Sequence, residues 1–346
     1  MTGEVAATPA ITDPSALEAT LRSSGRLPSA EHVVDVAVRG LAGSGLVGEV
    51  QRVLVTYDPP DSSGPASLIY KKSSDRFAES RDLAMVELGF YQYHEVHPAP
   101  FDVPAVLAYG LDPAPWLVME DLGDEGFVRQ IDGCTADLAF RAMTTLASVH
   151  AWWWRRELPT ELKWALPPAD SRVGQFCQRW LRSYQGDWPQ TLGQAPALVV
   201  DGFEQLADLL APQHRTIAHG DFHSQNIHFG SHRCTLIDFQ FLQHASGMLD
   251  VARFLATSLT TDTRRAIEAD LLRAYHDRLA ELGAGRTDTD QWTIELRAGF
   301  LWNLCTPLAL HVIGLERSGG GWPARLPILE RCVAAADDWN ALDLLR

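Results

Sequence analysis

The segment His219–Gln240 restricts the fold of this chain more than any other part of the sequence. Asp221 is followed five residues later by Asn226, and an apolar run follows that asparagine directly. A turn and a second apolar run then lead to Asp238. Two short apolar runs joined by a turn predict a β-hairpin. Such a hairpin returns Asp238 to the side of Asn226.

Carboxylate and amide side chains in this order suit phosphoryl transfer. One carboxylate must accept or orient the proton of the hydroxyl that receives the phosphoryl group, and Asp221 is the candidate. An amide oxygen and a second carboxylate must hold Mg²⁺, a cation that prefers oxygen ligands, and Asn226 and Asp238 are the candidates. The segment therefore predicts three functional side chains on one rigid loop and hairpin.

The rest of the sequence divides into a β-rich front and a helical back. Alternating apolar residues predict strands over 33–40, 48–57, 67–71, 103–110 and 115–120, with a helix over about 76–96. Helical spacing dominates from about residue 135, in segments 136–157, 172–186, 200–211, 248–259, 262–282, 288–316 and 326–345. This pattern predicts an α+β fold with two lobes, an N-terminal antiparallel sheet plus a helix and a larger helical C-terminal lobe.

The same pattern predicts the domain bounds. Residues 1–30 form a lead and a short helix, residues 31–120 the N-terminal lobe, and residues 121–346 the C-terminal lobe. The join is expected near residues 120–123, and clefts between lobes are common ligand sites.

Charge and cysteine content exclude several classes of protein. Lys and Arg supply 29 positive charges and Asp and Glu 44 negative ones, so the net charge is −15. An acidic chain without a basic run repels nucleic acid and anionic membrane surfaces. The five cysteines are scattered and never spaced as C-x-x-C, which predicts reduced thiols rather than disulfides or a zinc framework.

Neither the N-terminal segment nor the most apolar stretch of the sequence predicts membrane attachment. The first fifteen residues lack a cationic start followed by an apolar run, so no signal peptide is predicted. The most apolar stretch, 299–315, is interrupted by Asn303, Pro307 and His311 and is interpreted as a buried helix. A cytoplasmic protein that needs no partner protein is the resulting expectation.

The motif H-G-D-F-H-S-Q-N followed by I-D-F-Q resembles the aminoglycoside phosphotransferase and choline kinase-like superfamily, whose members are small-molecule relatives of protein kinases. The I-D-F-Q variant and its flanks are most similar to the ecdysteroid kinase-like branch. The resemblance covers most of the chain in the expected order. It implies a protein-kinase-like fold, ATP and Mg²⁺ as cofactors, and a small-molecule substrate with a free hydroxyl.

The resemblance also implies individual roles. Asp221 is the implied catalytic base, and Asn226 and Asp238 are the implied metal ligands. Asp250, in the segment G-M-L-D-V-A-R-F-L, resembles the acidic residue that braces the catalytic loop. The residues that the resemblance assigns to the nucleotide are Ser44 and Gly45 in a phosphate-covering loop, Lys71 with its partner Glu87, and Glu120 and Leu122 in the hinge that meets the adenine.

Two departures from the family pattern stand out. Gln240 occupies a position where choline kinases often have an acidic residue, so any metal contact there is neutral. The loop reads Gly45-Leu46-Val47 instead of a full glycine pattern, which puts its fit over the phosphates in question.

Alternatives remain open at several positions. Lys72 is the neighbour of Lys71 on the opposite face of the strand, and Glu79 is the fallback for Glu87. His219 is interpreted as a structural histidine, although His219, Asp221 and His223 also resemble part of a zinc site. The three tryptophans 152–154 are interpreted mainly as core and lobe contacts, with substrate stacking as the alternative.

Three functions are compatible with these residues. The leading hypothesis is an ATP-dependent phosphotransferase acting on a hydroxyl group of an aminoglycoside-, choline- or sterol-like small molecule. The second is a catalytically silent nucleotide-binding module. The third, a protein kinase, is disfavoured because the stretch from Asp238 to Asp250 is too short for a phosphorylatable activation loop.

Overall fold

The computed structural model describes residues 11–41, 48–154, 157–212, 215–284, 288–318 and 326–346. The chain divides into two compact units. The first unit comprises Met1–Val96 and Val103–Asp124, and the second comprises His97–Asp102 and Glu125–Arg346. The two residues predicted for the phosphate-covering loop, Ser44 and Gly45, lie outside the described residues.

The first unit is built on one antiparallel sheet. Its elements are α1 (Pro14–Ser23), β1 (His32–Gly40), β2 (Gly48–Asp58), β3 (Ser67–Ser73), α2 (Ser80–Val96), β4 (Val106–Gly110) and β5 (Trp116–Glu120). The strands lie in the order β1-β2-β3-β5-β4, and each neighbouring pair is antiparallel. The helix predicted from residue 76 begins at Ser80.

One face of this sheet is covered by α1. Pro14 occupies the first turn and the Asp13 carboxylate accepts a hydrogen bond from the Ser15 backbone N–H at 2.9 Å, which starts the helix. The buried Leu17 and Leu21 belong to a core cluster with apolar residues of β1, β2, β3 and β5. Burial of these side chains is the main stabilising contribution in this part of the unit.

The second unit is mostly helical. Its elements are α3 (Ala136–Trp153), α4 (Arg172–Ser183), α5 (Ala195–Asp201), α6 (Phe203–Leu209), β6 (Thr216–Ala218), β7 (Ile227–Phe229), β8 (Cys234–Leu236), β9 (Gln243–Ala245), α7 (Met248–Thr257), α8 (Thr261–Glu281), α9 (Thr289–Ser318) and α10 (Leu326–Asp338). Strand β6 pairs with β9, and β7 pairs with β8, both antiparallel.

Two apolar helices form the centre of the second unit. Every residue of α7 is buried, including Asp250 and Arg253. Helix α9 includes the segment Thr289–Glu316, which is long and apolar enough to cross a membrane, but 78% of its apolar window is buried inside the protein. Such burial is typical of the core helix of a soluble protein.

The predicted helix over 200–211 is wrong in extent. Two short helices, α5 and α6, meet at Gly202, and a side chain at this glycine would overlap the side chain of Leu345. All five cysteines are buried, and none of them forms a disulfide. The predicted α+β class, with an N-terminal antiparallel sheet and a helical C-terminal part, is confirmed.

Candidate active site

The loop between β6 and β7 carries the predicted catalytic aspartate. Gly220 has φ of 79°, and a Cβ atom there would overlap the carbonyl oxygen of Phe241. Only glycine tolerates both the positive φ and this close approach of the backbone. The sharp turn places Asp221 directly after it, with the carboxylate largely buried.

Asp250 of α7 binds the backbone of this loop. Its carboxylate accepts hydrogen bonds from the backbone N–H groups of His219 at 2.6 Å and Gly220 at 2.8 Å. Its Oδ2 also lies 3.0 Å from Nε2 of His150, whose Nδ1 lies 2.7 Å from the hydroxyl of Tyr275. Because Asp250 and His150 are fully buried, these partners replace the water that a carboxylate otherwise requires.

Asp221, Asn226 and Asp238 converge at one end of the β7–β8 hairpin. The Asn226 amide Nδ2 donates to the backbone oxygen of Asp221 at 3.0 Å and lies 3.3 Å from its Oδ2. The backbone N–H of Ile237 donates to the Asn226 carbonyl at 3.1 Å, which brings the following residue, Asp238, beside the asparagine. The hairpin expected from the sequence thus brings the three residues next to one another along the backbone.

The donor set at this end of the hairpin fits Mg²⁺. Asn226 uses its amide nitrogen toward Asp221, so its amide oxygen is directed elsewhere as an acceptor. Asp238 adopts a left-handed conformation with φ of 69°, and its Oδ2 lies 3.3 Å from Nε2 of Gln240. One amide oxygen and one carboxylate are hard ligands that Mg²⁺ uses together with water and phosphate oxygens.

Two further side chains contact the Asp221 carboxylate. Nη2 of Arg253, on α7, donates to Oδ1 at 2.5 Å, and Nε2 of His223 lies 3.4 Å from Oδ2. Burial alone opposes ionisation of Asp221, but the charges of His223 and Arg253 outweigh it and hold the pKa of this carboxyl well below its ordinary value. Asp221 is therefore ionised at neutral pH.

His219 has the contacts of a structural histidine. Its Nε2 lies 3.0 Å from the carbonyl oxygen of Ile237, so the ring connects the catalytic loop to the end of β8. Burial lowers the pKa of His219, although the carboxylates of Asp250 and Asp221 oppose that shift. A buried neutral imidazole that donates to a backbone carbonyl fixes the loop without carrying a proton to substrate.

The zinc alternative receives no support from the structure. Across the described residues there is no group of three or more His, Cys, Asp or Glu side chains arranged to hold a metal ion. His223 points its Nε2 at Asp221, and the ring of His228 packs edge to face against Phe127. The Asn and Asp pair at the hairpin remains the metal-binding candidate in the second unit.

The first unit carries the predicted lysine and its partner. Nζ of Lys71, on β3, lies 2.7 Å from Oε2 of Glu87 on α2. The Glu87 side chain is 3% exposed and that of Lys71 is 16% exposed. A buried carboxylate needs a partner of opposite charge, and the ammonium of Lys71 supplies it to Glu87.

The predicted hinge residues follow β5 in the same unit. Glu120 is exposed, and its Oε2 accepts a hydrogen bond from the Ala105 backbone N–H at 3.2 Å, while Leu122 is partly exposed. Arg52 of β2 pairs with Asp121 at 2.6 Å and with Asp124 at 2.8 Å. This double ion pair holds the segment that contains Leu122 against the sheet.

The sequence analysis did not predict Arg253 or the double ion pair of Arg52. A signal for Arg253 exists, because it is the one basic residue in an otherwise apolar helix and lies three residues after Asp250. Side chains three residues apart lie on the same face of a helix, so Asp250 and Arg253 are expected to face the same loop. The partners of Arg52 are 69 and 72 residues away, and no local pattern indicates them.

One known protein family matches the part of the chain that contains Asp221, Asn226 and Asp238. The sequence profile of the ecdysteroid kinase-like family matches residues 168–284, roughly a third of the chain, including the catalytic loop, the hairpin and Asp250. No curated protein shows significant sequence similarity to this chain.

Solved structures share the fold over nearly the whole chain. Choline kinase from Cryptosporidium parvum Iowa II is similar with a TM-score of 0.60 and 11% identity, covering 96% of this chain and 95% of that one. Amicoumacin kinase hAmiN, in complex with AMP-PNP, has a TM-score of 0.56 and 14% identity, covering 92% of each chain. The ADP-bound aminoglycoside phosphotransferase APH(2'')-Ib has a TM-score of 0.51 and 16% identity, covering 88% of this chain and 94% of its own.

At these identities the structural likeness concerns the fold, and the family match concerns the catalytic segment. The two agree with each other and with the motifs from which the resemblance was drawn. The chain shares the fold of solved aminoglycoside phosphotransferase and choline kinase structures, and its residues 168–284 match the ecdysteroid kinase-like family.

Proposed function

We propose that this protein is a phosphotransferase that moves the γ-phosphoryl group of ATP to a hydroxyl group of a small molecule. The observation that carries the proposal is the convergence of Asp221, Asn226 and Asp238 at one end of a hairpin. The match to the ecdysteroid kinase-like family lies on the same residues. Small-molecule kinases among the structural neighbours support the same reaction class.

In the proposed reaction, Asp221 orients the acceptor hydroxyl and takes its proton. The acceptor oxygen forms a bond to the γ-phosphorus, and the bond between that phosphorus and the β–γ bridging oxygen breaks, so ADP leaves. Asp221 is ionised at neutral pH, as a proton acceptor must be. A base with a depressed pKa is adequate here, because in a loose phosphoryl-transfer transition state orientation matters more than proton affinity.

The remaining predicted site residues take supporting roles in the proposal. Asn226 and Asp238 would hold Mg²⁺, which when bound neutralises charge on the nucleotide phosphates. Lys71, oriented by Glu87, supplies a compact ammonium to the phosphates. The adenine contacts assigned to Glu120 and Leu122 remain predictions, as does the cytoplasmic location.

The direct test is ADP release measured with Mg-ATP and a panel of amines, sugars, sterols and macrolides, followed by mass spectrometry of the phosphorylated product. Asp221→Asn should lower turnover by about 10²–10⁴-fold, the usual range for a general base. ATP affinity, measured by calorimetry, should stay within a few fold of the wild type. Asp208→Asn, an exposed carboxylate on α6, is the matched control and should retain full activity.

Asparagine is preferred over alanine at position 221 for a structural reason. Removing the whole side chain would leave the buried Arg253 without its acceptor, and such vacancies are strongly destabilising. Asparagine keeps an oxygen that can accept the hydrogen bond. A fully active Asp221→Asn variant would overturn the assignment, and ATP binding without product from any acceptor would favour the silent nucleotide-binding module.

A further inference from the structure

Helix α7 contacts the catalytic loop with two charged side chains instead of one. Asp250 holds the backbone of residues 219–220, and one turn further along, Arg253 contacts the side chain of Asp221. The Arg253 side chain is 7% exposed. One rigid, fully buried helix therefore positions both the backbone and the carboxylate of the catalytic loop.

The two oxygens of the Asp221 carboxylate are held differently. Oδ1 receives the short hydrogen bond from Arg253 Nη2, 2.5 Å. Oδ2 has only longer contacts, 3.3 Å to Asn226 Nδ2 and 3.4 Å to His223 Nε2. Charge-assisted hydrogen bonds are shorter and about twice as strong as neutral ones, so Oδ1 is the anchored oxygen. Oδ2 keeps acceptor capacity for one further donor.

The guanidinium of Arg253 is only partly satisfied by hydrogen bonds. Its Nε is buried and has no hydrogen-bond partner in the described part of the chain. A buried donor left unpaired costs free energy, which an apolar residue of similar volume would avoid. Retaining an arginine in the apolar helix α7 at this cost is understandable if the contact with Asp221 is needed for something other than folding.

We propose that Arg253 is a positioning residue that anchors Oδ1 of Asp221 and so leaves Oδ2 as the oxygen that receives the acceptor proton. The inference rests on the proposed phosphotransferase function and deepens it. Without Arg253 the carboxylate can rotate about its Cβ–Cγ bond, and the proton-accepting oxygen loses its fixed place. Nucleotide binding does not depend on this contact.

The test uses three variants of the full chain. Arg253→Met removes the charge and keeps the volume, whereas Arg253→Lys keeps a cationic donor. Arg264→Met is the matched control, because the Arg264 side chain on α8 is 1% exposed and forms ion pairs with the partly exposed Glu268 and Asp338, neither of which belongs to the loop that carries Asp221. kcat, the KM for Mg-ATP and the thermal midpoint are measured for each, with an acceptor that the wild type phosphorylates.

The expected result is a separation of kcat from KM. Arg253→Met should lower kcat by about 10- to 100-fold, the scale expected for a misplaced catalytic group, with the KM for Mg-ATP within twofold. Arg253→Lys should recover most of the lost turnover. Arg264→Met should lower the thermal midpoint but leave kcat within twofold for the folded protein. Unchanged kcat in Arg253→Met, or an equal loss in Arg264→Met, would overturn the proposal.

A stability measurement tests the contact without using activity. In urea unfolding, Arg253→Met and Asp221→Ala, each of which removes the contact, should each lower the midpoint, and the double variant should lose less than the sum of the two single losses. Strict additivity would overturn the anchoring contact. If the coupling is present but the wild type phosphorylates no acceptor, the proposed function fails while the contact stands, so the two failures are distinguishable. Should Arg253→Met not fold, Arg253→Gln, which removes the charge but keeps a polar side chain, replaces it in the cycle and the kinetic assay, with the same expected loss of kcat.

Discussion

The two units of this protein hold their buried carboxylates in different ways. In the first unit, Lys71 and Glu87 form an ion pair between a strand and a helix, and the lysine retains some exposure. In the second unit, the carboxylate of Asp250 accepts two backbone N–H groups and contacts a histidine, and that of Asp221 contacts Arg253, His223 and Asn226.

The kind of partner that a buried charge has indicates whether its loss should destabilise the fold as well as impair function. A carboxylate that collects backbone donors is part of the fold, because its loss leaves buried N–H groups without acceptors. An ion pair whose cation must also reach a ligand can be altered with smaller structural consequences, provided the charge is retained. We therefore expect substitutions in the network to affect unfolding, and charge-preserving substitutions at Lys71 to affect turnover.

The largest effect on stability is expected for Asp250→Asn. The amide would present a donor nitrogen to the N–H groups of His219 and Gly220, or at best satisfy one of them. The free energy of unfolding should fall by about 3 kcal/mol, the scale for a broken buried charge network. Urea unfolding at pH 7 measures it. A loss below about 1 kcal/mol would remove the distinction between the two units.

A large effect on turnover with little effect on stability is expected for Lys71→Arg. The charge and the pairing with Glu87 are kept, but the planar guanidinium does not reproduce the compact ammonium at a phosphate. kcat/KM for ATP should fall by about 100-fold, while the urea midpoint changes little. Lys72→Arg is the matched control, since Lys72 is the next residue on β3 and should tolerate the change. Normal turnover of Lys71→Arg would contradict the phosphate-binding role.

The smallest effect tests whether tight packing extends from the network to β9. Burial lowers the pKa of His244 to about 4, and the charge of Arg215 adds to the shift. Between pH 6.5 and pH 4, therefore, His244 is protonated in the unfolded chain, with a pKa near the ordinary 6.5, but mostly neutral in the folded chain. Stability from this group is present above pH 6.5 and is lost as the pH falls toward 4.

The variant His244→Gln should lack this pH dependence. Between pH 7 and pH 4.5 the wild type should lose about 1 kcal/mol more unfolding free energy than the variant, a figure reduced because the side chain is only half-buried. Urea midpoints of both proteins at the two pH values measure the difference. Equal losses would show that His244 is solvated and that the dense packing ends before β9.

Much of the fold could be predicted because its signals are local. The strands of the first unit begin and end within a few residues of their predicted bounds, since alternation and turn residues lie within each segment. The predicted helix over 200–211 is interrupted at Gly202, which lies in close contact with the side chain of Leu345, more than a hundred residues away. Apolar spacing alone does not contain that contact.

The candidate site divides in the same way. Asp221, Asn226 and Asp238 are found within eighteen residues of sequence, and a hairpin of that length has few ways to close. Arg253 and Arg52 were not found, because their partners come from other elements. Glu87 is an intermediate case: the resemblance named it as the partner of Lys71, and the structure shows that ion pair.

The sequence by itself determined the α+β plan and the loop and hairpin that carry Asp221, Asn226 and Asp238, and it predicted a reaction class that those side chains suit. These properties depend on residue types and on spacings within single elements, which the chain carries in any conformation. Only the tertiary structure decided that Asp250 and Arg253 hold the loop from one buried helix, and that Arg52 holds the segment after β5. Those contacts arise when separate elements pack, because the free energy of burying a charge depends on the partners that packing supplies.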